Sequence, residues 1–429
     1  MLSIAKLSPG QEAYYESAVA QGLDDYYAGR GESPGVWHGA GSSGLGLVGV
    51  VGDGDLGRLM RGVDPATQSQ LRAVASVRRI RVEQLDAATG ERRLVERELR
   101  PVAGFDLVFS APKSVSLLHA LGDERVRFET SQAHQAAWQA ALSYLEETAC
   151  VTRRGRNGVV REWGSGFVAS AFAHRTSRAL DPHLHTHVIV ANMTQSPDGT
   201  WRALDGDLLL RTHRLAAGSL YQAQLRYELT SRLGVDWQPA VKGMAEILGV
   251  PDVVLGAFST RRAQVVAHLA EHATTGWRAA QVAAVATRDA KATPDLGELR
   301  RGWEARAGEL GFGPAAREAV LGRVEWHAPS PSELRAEAVR LLGEEGLCGT
   351  RASFNEADLV AAWATALPRG ASARRVRALA TGLAHDRRVV GLDPEAPPIG
   401  VPKRYTTHQL AEIERHALAL ALDGRASGA

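Results

Sequence analysis

Fourteen consecutive residues, HRTSRALDPHLHTH (174–187), hold four of the chain's fourteen histidines. What such density can do depends on spacing. His185 and His187 are two apart, so on a β-strand both imidazoles leave the same face. His174 closes an upstream run, GFVASAFAH, whose alternating apolar and small residues read as a sheet-core strand. The intervening RTSRALDP is polar and reads as a connection, so a hairpin-like pairing brings His174 beside the other two. Three imidazoles on one point form a metal-ligand set that leaves coordination positions open. His183 follows Pro182 in the connection and falls outside that set. A polar, imidazole-rich loop is the plainer alternative.

Two further features bear on chemistry. The pairs Tyr14–Tyr15 and Tyr26–Tyr27 account for half of the eight tyrosines. Aromatic doublets on amphipathic helices usually pack, but the second pair follows Asp24 and Asp25. On one unbroken helix Tyr14 and Tyr26 would stand about 120° apart, and Gly22 between them supplies a bend. Asp106, in GFDLVFS, interrupts an apolar strand on the face of Val108 and Ser110. A carboxylate there is costly unless paired, and a metal-bound histidine commonly gives its other ring N–H to such a group. A surface aspartate on an edge strand is the alternative. Taken together these residues suit phosphoryl transfer. A tyrosine hydroxyl with a pKa of about 10 needs activation, and a cation on the non-bridging phosphate oxygens polarises phosphorus. The product is a phosphotyrosine and a free hydroxyl.

The elements that must position these groups are legible from pattern. The start reads as helix through PGQEAYYESAVAQG and again through LDDYYAG. Residues 31–55 are glycine-rich and suit loops and short strands. VAGFDLVFSAPKSVSLLHAL reads as strand, turn and Ser-led helix, and HQAAWQAALSYLEETA as an amphipathic helix. TRRGRNGVVREWGSG reads as a hairpin, and RTHRLAAGSLYQAQLRYELTSRLG as a helix ending at Gly234. EWHAPSPSEL marks a boundary. SFNEADLVAAWATAL opens on an expected Ser353–Glu356 capping box, and RRVVGL gives a short strand before a last helix. No GxxxxGK[ST] phosphate loop occurs in these residues.

Composition narrows the class. The 429 residues leave room for two or three domains with real cores. With 45% hydrophobic and 23% charged residues, the chain reads as soluble and globular. Only Cys150 and Cys348 occur, which argues for a reducing compartment and against a thiolate metal site. Neither a signal peptide nor a membrane-length apolar stretch is visible, so no membrane insertion and a cytoplasmic location are expected. A net charge of +2 means that nucleic acid would need local cationic patches. Lys113, Arg153, Arg154, Arg175 and Arg178 are the candidates, joined by Arg156 and Arg161, with Trp163 and Trp201 available for stacking.

The stretches AYYES…LDDYYA, GFDLVFSAPKSVSLLHAL and HRTSRALDPHLHTHVIVANM resemble the relaxase domain of MobF-type conjugative relaxases, HUH endonucleases that nick plasmid DNA at an origin of transfer. WRALDGDLLLRTHRLAAGSLYQAQLRYELTSRLGVDW continues the resemblance to about residue 300. It implies His174, His185 and His187 as ligands of one divalent metal, usually Mg or Mn in the family, although imidazoles also suit Zn or another transition ion. It implies Tyr14 as the nicking nucleophile and Tyr26 as the tyrosine of a second strand transfer, with Tyr15 and Tyr27 supporting. It also implies Asp106 as the carboxylate near nucleophile and histidine. The implied fold is α+β: an antiparallel β-sheet palm with flanking helices and a helical flap, followed by a mainly helical C-terminal region. Residues 1–310 would be the relaxase domain, 311–335 a linker, and 336–429 a region like the start of the helicase half of such proteins. The implied activity is strand-specific nicking and transfer of origin DNA through a 5′-phosphotyrosine. The implied partners are single-stranded DNA, accessory relaxosome proteins and a type IV secretion coupling protein, with a monomeric enzyme. A rolling-circle replication initiator and a non-catalytic single-stranded-DNA-binding metalloprotein are the rival readings. The long helical region after the histidines disfavours the first, and the tyrosine pairs disfavour the second.

Overall fold

Period-two alternation on both sides of the histidine motif becomes a five-stranded antiparallel sheet in the computed structural model. The structure describes residues 1–11, 34–74, 76–85, 92–241, 243–271, 295–393 and 397–426; Tyr14, Tyr15, Tyr26 and Tyr27 lie outside them. In chain order the first strands are β1 (Leu2–Leu7), β2 (Val36–His38), β3 (Arg78–Leu85), β4 (Arg92–Leu99) and β5 (Gly104–Ser110). After them come β6 (Val151–Arg154), β7 (Val160–Trp163), β8 (Ala169–Thr176) and β9 (Pro182–Ala191). The main sheet has the order β1-β5-β9-β8-β2, which makes β9 central; β3–β4 and β6–β7 form separate two-stranded ribbons.

Alternation sorts the side chains of the sheet between two cores. Leu107, Phe109, Leu184, Val188 and Val190 face three helices: α1 (Lys113–Leu121), α2 (Glu124–Ala149) and α3 (Arg214–Leu233). Phe172, Ile189 and Ala191 face the other way and pack with Trp37, Leu56 and Met60. Helix boundaries reflect local chemistry. Asp123 caps α2 by accepting the Val126 N–H at 2.7 Å, and α3 ends on Gly234 in the left-handed region at φ 62°. The first N–H groups of α1 have no serine cap; those of Lys113 and Ser114 go to the Glu246 carboxylate at 3.3 and 2.7 Å.

Beyond α3 lie α4 (Thr260–Glu271), α5 (Leu296–Glu309), α6 (Pro331–Leu342), α7 (Glu356–Ala366), α8 (Ala373–Ala384) and α9 (His408–Ala426). β10 (Phe354–Asn355), β11 (Val389–Gly391) and β12 (Arg404–Thr407) form a small antiparallel sheet in the order β10-β12-β11. The expected α+β architecture with a mainly helical C-terminal region is the one observed. Two local expectations are corrected. The capping box that opens α7 is Asn355–Asp358 rather than Ser353–Glu356, because Phe354 and Asn355 pair with β12 and delay the helix. Residues 311–335, expected as a linker, are packed: Phe312 and Val320 are buried, and Gly322 and Arg323 donate to the Leu233 and Gly234 carbonyls. Among the described residues no helix is long and apolar enough to cross a membrane.

Candidate metal centre

Strand register brings the three histidines together. His174 on β8 stands directly opposite His185 on β9, and His187 stands opposite Phe172 on β8 and Val108 on β5. All three point away from the helices, and one ligand nitrogen from each lies within 4.8 Å of the others. Their ring centroids are 5.0–5.2 Å apart. A single cation with nitrogen bonds of about 2.0–2.1 Å would draw such a cluster together.

The neighbours set the tautomers. His187 Nδ1 lies 2.8 and 3.0 Å from the two oxygens of Asp106, and His185 Nδ1 lies 2.9 Å from the His183 carbonyl. A carboxylate and a carbonyl only accept, so each Nδ1 carries the proton and donates. Nε2 of a neutral ring is then the lone-pair atom that a metal needs. Burial, with His187 alongside, pushes His185 down to about 4, so it is neutral at pH 7. Asp106 faces this site from β5, one pleat from Val108, and its burial is offset by the ring N–H it accepts. The three histidines therefore fit a divalent cation by donor type and convergence, and His185 and His187 by tautomer as well.

The hairpin carrying them is tied at its tip. Leu180 takes a left-handed backbone at φ 60°, and the Trp303 indole on α5 donates to its carbonyl at 3.0 Å. The buried Asp181 carboxylate accepts the Thr260 N–H at the start of α4 at 2.8 Å. Lys113 Nζ donates to the Pro182 carbonyl at 2.6 Å. Lys113, read from sequence as a DNA cation, is thus partly buried against the metal hairpin.

The other expected cations divide. Arg153 binds the buried Asp205 through Nε at 2.8 Å, and Arg161 shares that carboxylate at 2.9 Å. Arg154 pairs with Glu162 across the β6–β7 ribbon. Arg175 on β8 and Arg178 in the turn of the metal hairpin are exposed. Sequence reasoning passed over a more exposed cationic element, the β3–β4 ribbon. There Arg79, Arg81 and Arg92 pair with Glu98, Glu96 and Glu83 at 3.7, 3.3 and 3.4 Å, while Arg78 and Arg93 lie on the opposite face. Its signal was present in RRIRVEQL and RRLVEREL, two alternating runs joined through a Gly-containing segment.

Comparison with known proteins agrees with this geometry. The family model of the TrwC relaxase matches residues 9–310. The multifunctional conjugation protein TraI of Escherichia coli is 31% identical over 361 residues, covering 80% of this chain and 19% of that protein. TraI of Escherichia coli strain K12 is 30% identical over 386 residues, covering 86% and 20%. The chain thus spans about a fifth of the length of these curated relatives. A metal-bound structure of the conjugative relaxase TrwC in complex with oriT DNA has a TM-score of 0.59 at 29% identity, over 72% of this chain and 99% of the other. TrwC complexed with a 27-mer DNA comprising the recognition hairpin and the cleavage site gives 0.57 at 29%, with the same coverage. With its sheet, its histidine face and a family match over residues 9–310, this chain belongs to the TrwC relaxase family, the MobF-type group its motifs resemble.

Proposed function

We propose that this chain nicks one strand of origin-of-transfer DNA and holds the new 5′ end as a phosphotyrosine. The observation that carries the reading is the three-histidine face with the Asp106–His187 bond behind it. A divalent metal held by His174, His185 and His187 would bind non-bridging phosphate oxygens and neutralise charge as the phosphorus is attacked. We assign Mg or Mn to the working site, with Zn or another transition ion accepted by the same imidazoles. Asp106 fixes the His187 ring so that Nε2 faces the shared point, and the His183 carbonyl does the same for His185. Tyr14 is the nucleophile: its oxygen forms the bond to phosphorus, the bond to the 3′ oxygen breaks, and that oxygen takes a proton. Tyr26 serves a second transfer, with Tyr15 and Tyr27 supporting. One phosphodiester replaces another, so the step is close to balanced and can run backwards to rejoin the strand.

The chain's partner in this reading is single-stranded origin DNA with its adjoining hairpin, the kind of DNA named for the TrwC complex. The major groove of a duplex admits a two-stranded β-ribbon, and β3–β4 is such a ribbon, exposed and arginine-rich. Of the expected cations, the exposed Arg175 and Arg178 border the single-strand path, while Lys113, Arg153 and Arg154 support it from their bonds to Pro182, Asp205 and Glu162. Accessory relaxosome proteins and a type IV secretion coupling protein complete the assembly, with a monomeric chain in the donor cytoplasm. Residues 1–310 are the nicking unit, and 336–429 form the start of a helicase half like that of longer relaxases. The test is incubation of the protein and Mn²⁺ with a labelled origin strand, read on a denaturing gel. A protein-linked DNA band is expected, and tight binding without one would overturn the reading.

A further inference from the structure

The sequence HLHTH hides an ambiguity. Histidines recur at 183, 185 and 187, so sliding β9 by two residues keeps every face correct while exchanging the ligand pair. His183 and His185 would then stand where His185 and His187 stand, and Asp106 would still meet an imidazole. Apolar alternation does not resist this slip, because Leu184, Val188 and Val190 on the helix face are interchangeable in kind. Thr186 is the one polar residue among them, and it is buried between Phe109 and Ala173 in the register.

Its hydroxyl lies 2.9 Å from Nε2 of His134 on α2, and His134 Nδ1 lies 2.9 Å from the hydroxyl of Tyr221 on α3. All three groups are buried, and the Tyr221 ring packs against Phe109 with centroids 5.5 Å apart. Burial holds His134 neutral, down at about 3, so one ring nitrogen donates and the other accepts. The chain of bonds thus ties both helices to one position of the central strand. A two-residue slip would set Leu184 or Val188 against the imidazole and leave a buried ring nitrogen unpartnered, which is costly.

We infer that Thr186, His134 and Tyr221 form a register pin that selects His185 and His187, rather than His183 and His185, as the metal-facing pair; they are positioning residues and never touch the metal. The inference rests on the metal reading for the ligand face, so it is tested in the DNA-free protein, where Mn²⁺ affinity and thermal stability are measured side by side. Thr186→Val, which keeps shape and strand propensity, should weaken Mn²⁺ binding about tenfold, the scale seen when groups that orient ligands are removed. Thr186→Ser keeps the hydroxyl and should bind as the native protein does. The triple variant Thr186→Val, His134→Leu, Tyr221→Phe removes every polar atom of the pin, so its Tm should recover relative to Thr186→Val. Its Mn²⁺ affinity should stay low, and the amides of 184–188 should exchange faster than in the native protein. Recovery of affinity together with Tm, or an unchanged affinity in Thr186→Val, overturns the pin. Failure of the native protein to bind Mn²⁺ would instead strike the metal reading itself.

Discussion

Asp106 is a buried carboxylate whose partner is a ring N–H, and His187 depends on it for its tautomer. Removing the carboxylate frees that ring to turn and to carry its proton on either nitrogen. Asp106→Ala should therefore weaken divalent-metal binding by about 10–100-fold, measured by titration calorimetry, with a smaller effect on single-strand affinity. Tyr14→Phe removes one hydroxyl and keeps the ring. It should abolish the covalent adduct on a denaturing gel while metal content and DNA affinity hold. If Tyr14→Phe forms the adduct at the native rate while Tyr26→Phe does not, the two tyrosines exchange roles.

At the scale of elements, the helices behind the sheet bury imidazoles in surroundings that disfavour a charge. His119 on α1 and His213 at the start of α3 are held down at about 4, in each case chiefly by burial, and His134 on α2 lower still. His119 meets the Ser131 hydroxyl and His213 the Tyr144 hydroxyl, at 3.1 and 2.9 Å. In the unfolded chain these rings titrate near 6.5. Below that pH the unfolded state binds more protons than the folded one, so stability falls as pH falls. The contribution is complete above 6.5 and is lost progressively toward about 4. Urea melts in EDTA between pH 7.5 and 4.5 should trace that loss, and His213→Gln should flatten the slope. An equal slope in the variant would remove His213 from the account.

Across the whole molecule, α3 is the shared wall. One side packs under the sheet and the other against α7, where the buried Arg226 guanidinium donates to the Ala364 and Leu367 carbonyls at 2.7 and 3.3 Å. Those carbonyls close the end of α7, where a cation is favoured. Leu359, Val360 and Trp363 belong to the same apolar cluster as Leu220 and Leu225. Every candidate for the chemistry precedes residue 190, so a chain ending near 310 should retain the nicking site. It would nonetheless expose the α7-facing side of α3 and strand Arg226 without its carbonyls. Its Tm should fall by several degrees, given that about 1 kcal/mol corresponds to some 2–4 °C in domains of roughly 150–250 residues. Adduct formation at low temperature should persist. A truncated chain that is as stable as the full one would show that the shared core carries little energy.

What the residues announced by themselves is what depends on local period. Histidines two apart on an apolar run must share a strand face, the β6–β7 hairpin is set by its glycines, and α3 ends where Gly234 tolerates a left-handed backbone. The family was legible for the same reason, since its motifs are contiguous. Tertiary structure decided what depends on distant partners. Lys113 and Arg153 read as free cations until the Pro182 carbonyl and the buried Asp205 were placed beside them. The expected linker is packed because α3 offers it carbonyls and an apolar wall. His134 and Tyr221 read as ordinary helix residues, 52 and 35 positions from Thr186, and no local pattern marks a hydrogen bond across that separation. Alternation chooses the face of a strand, whereas only packing against the helices chooses between registers that share a face.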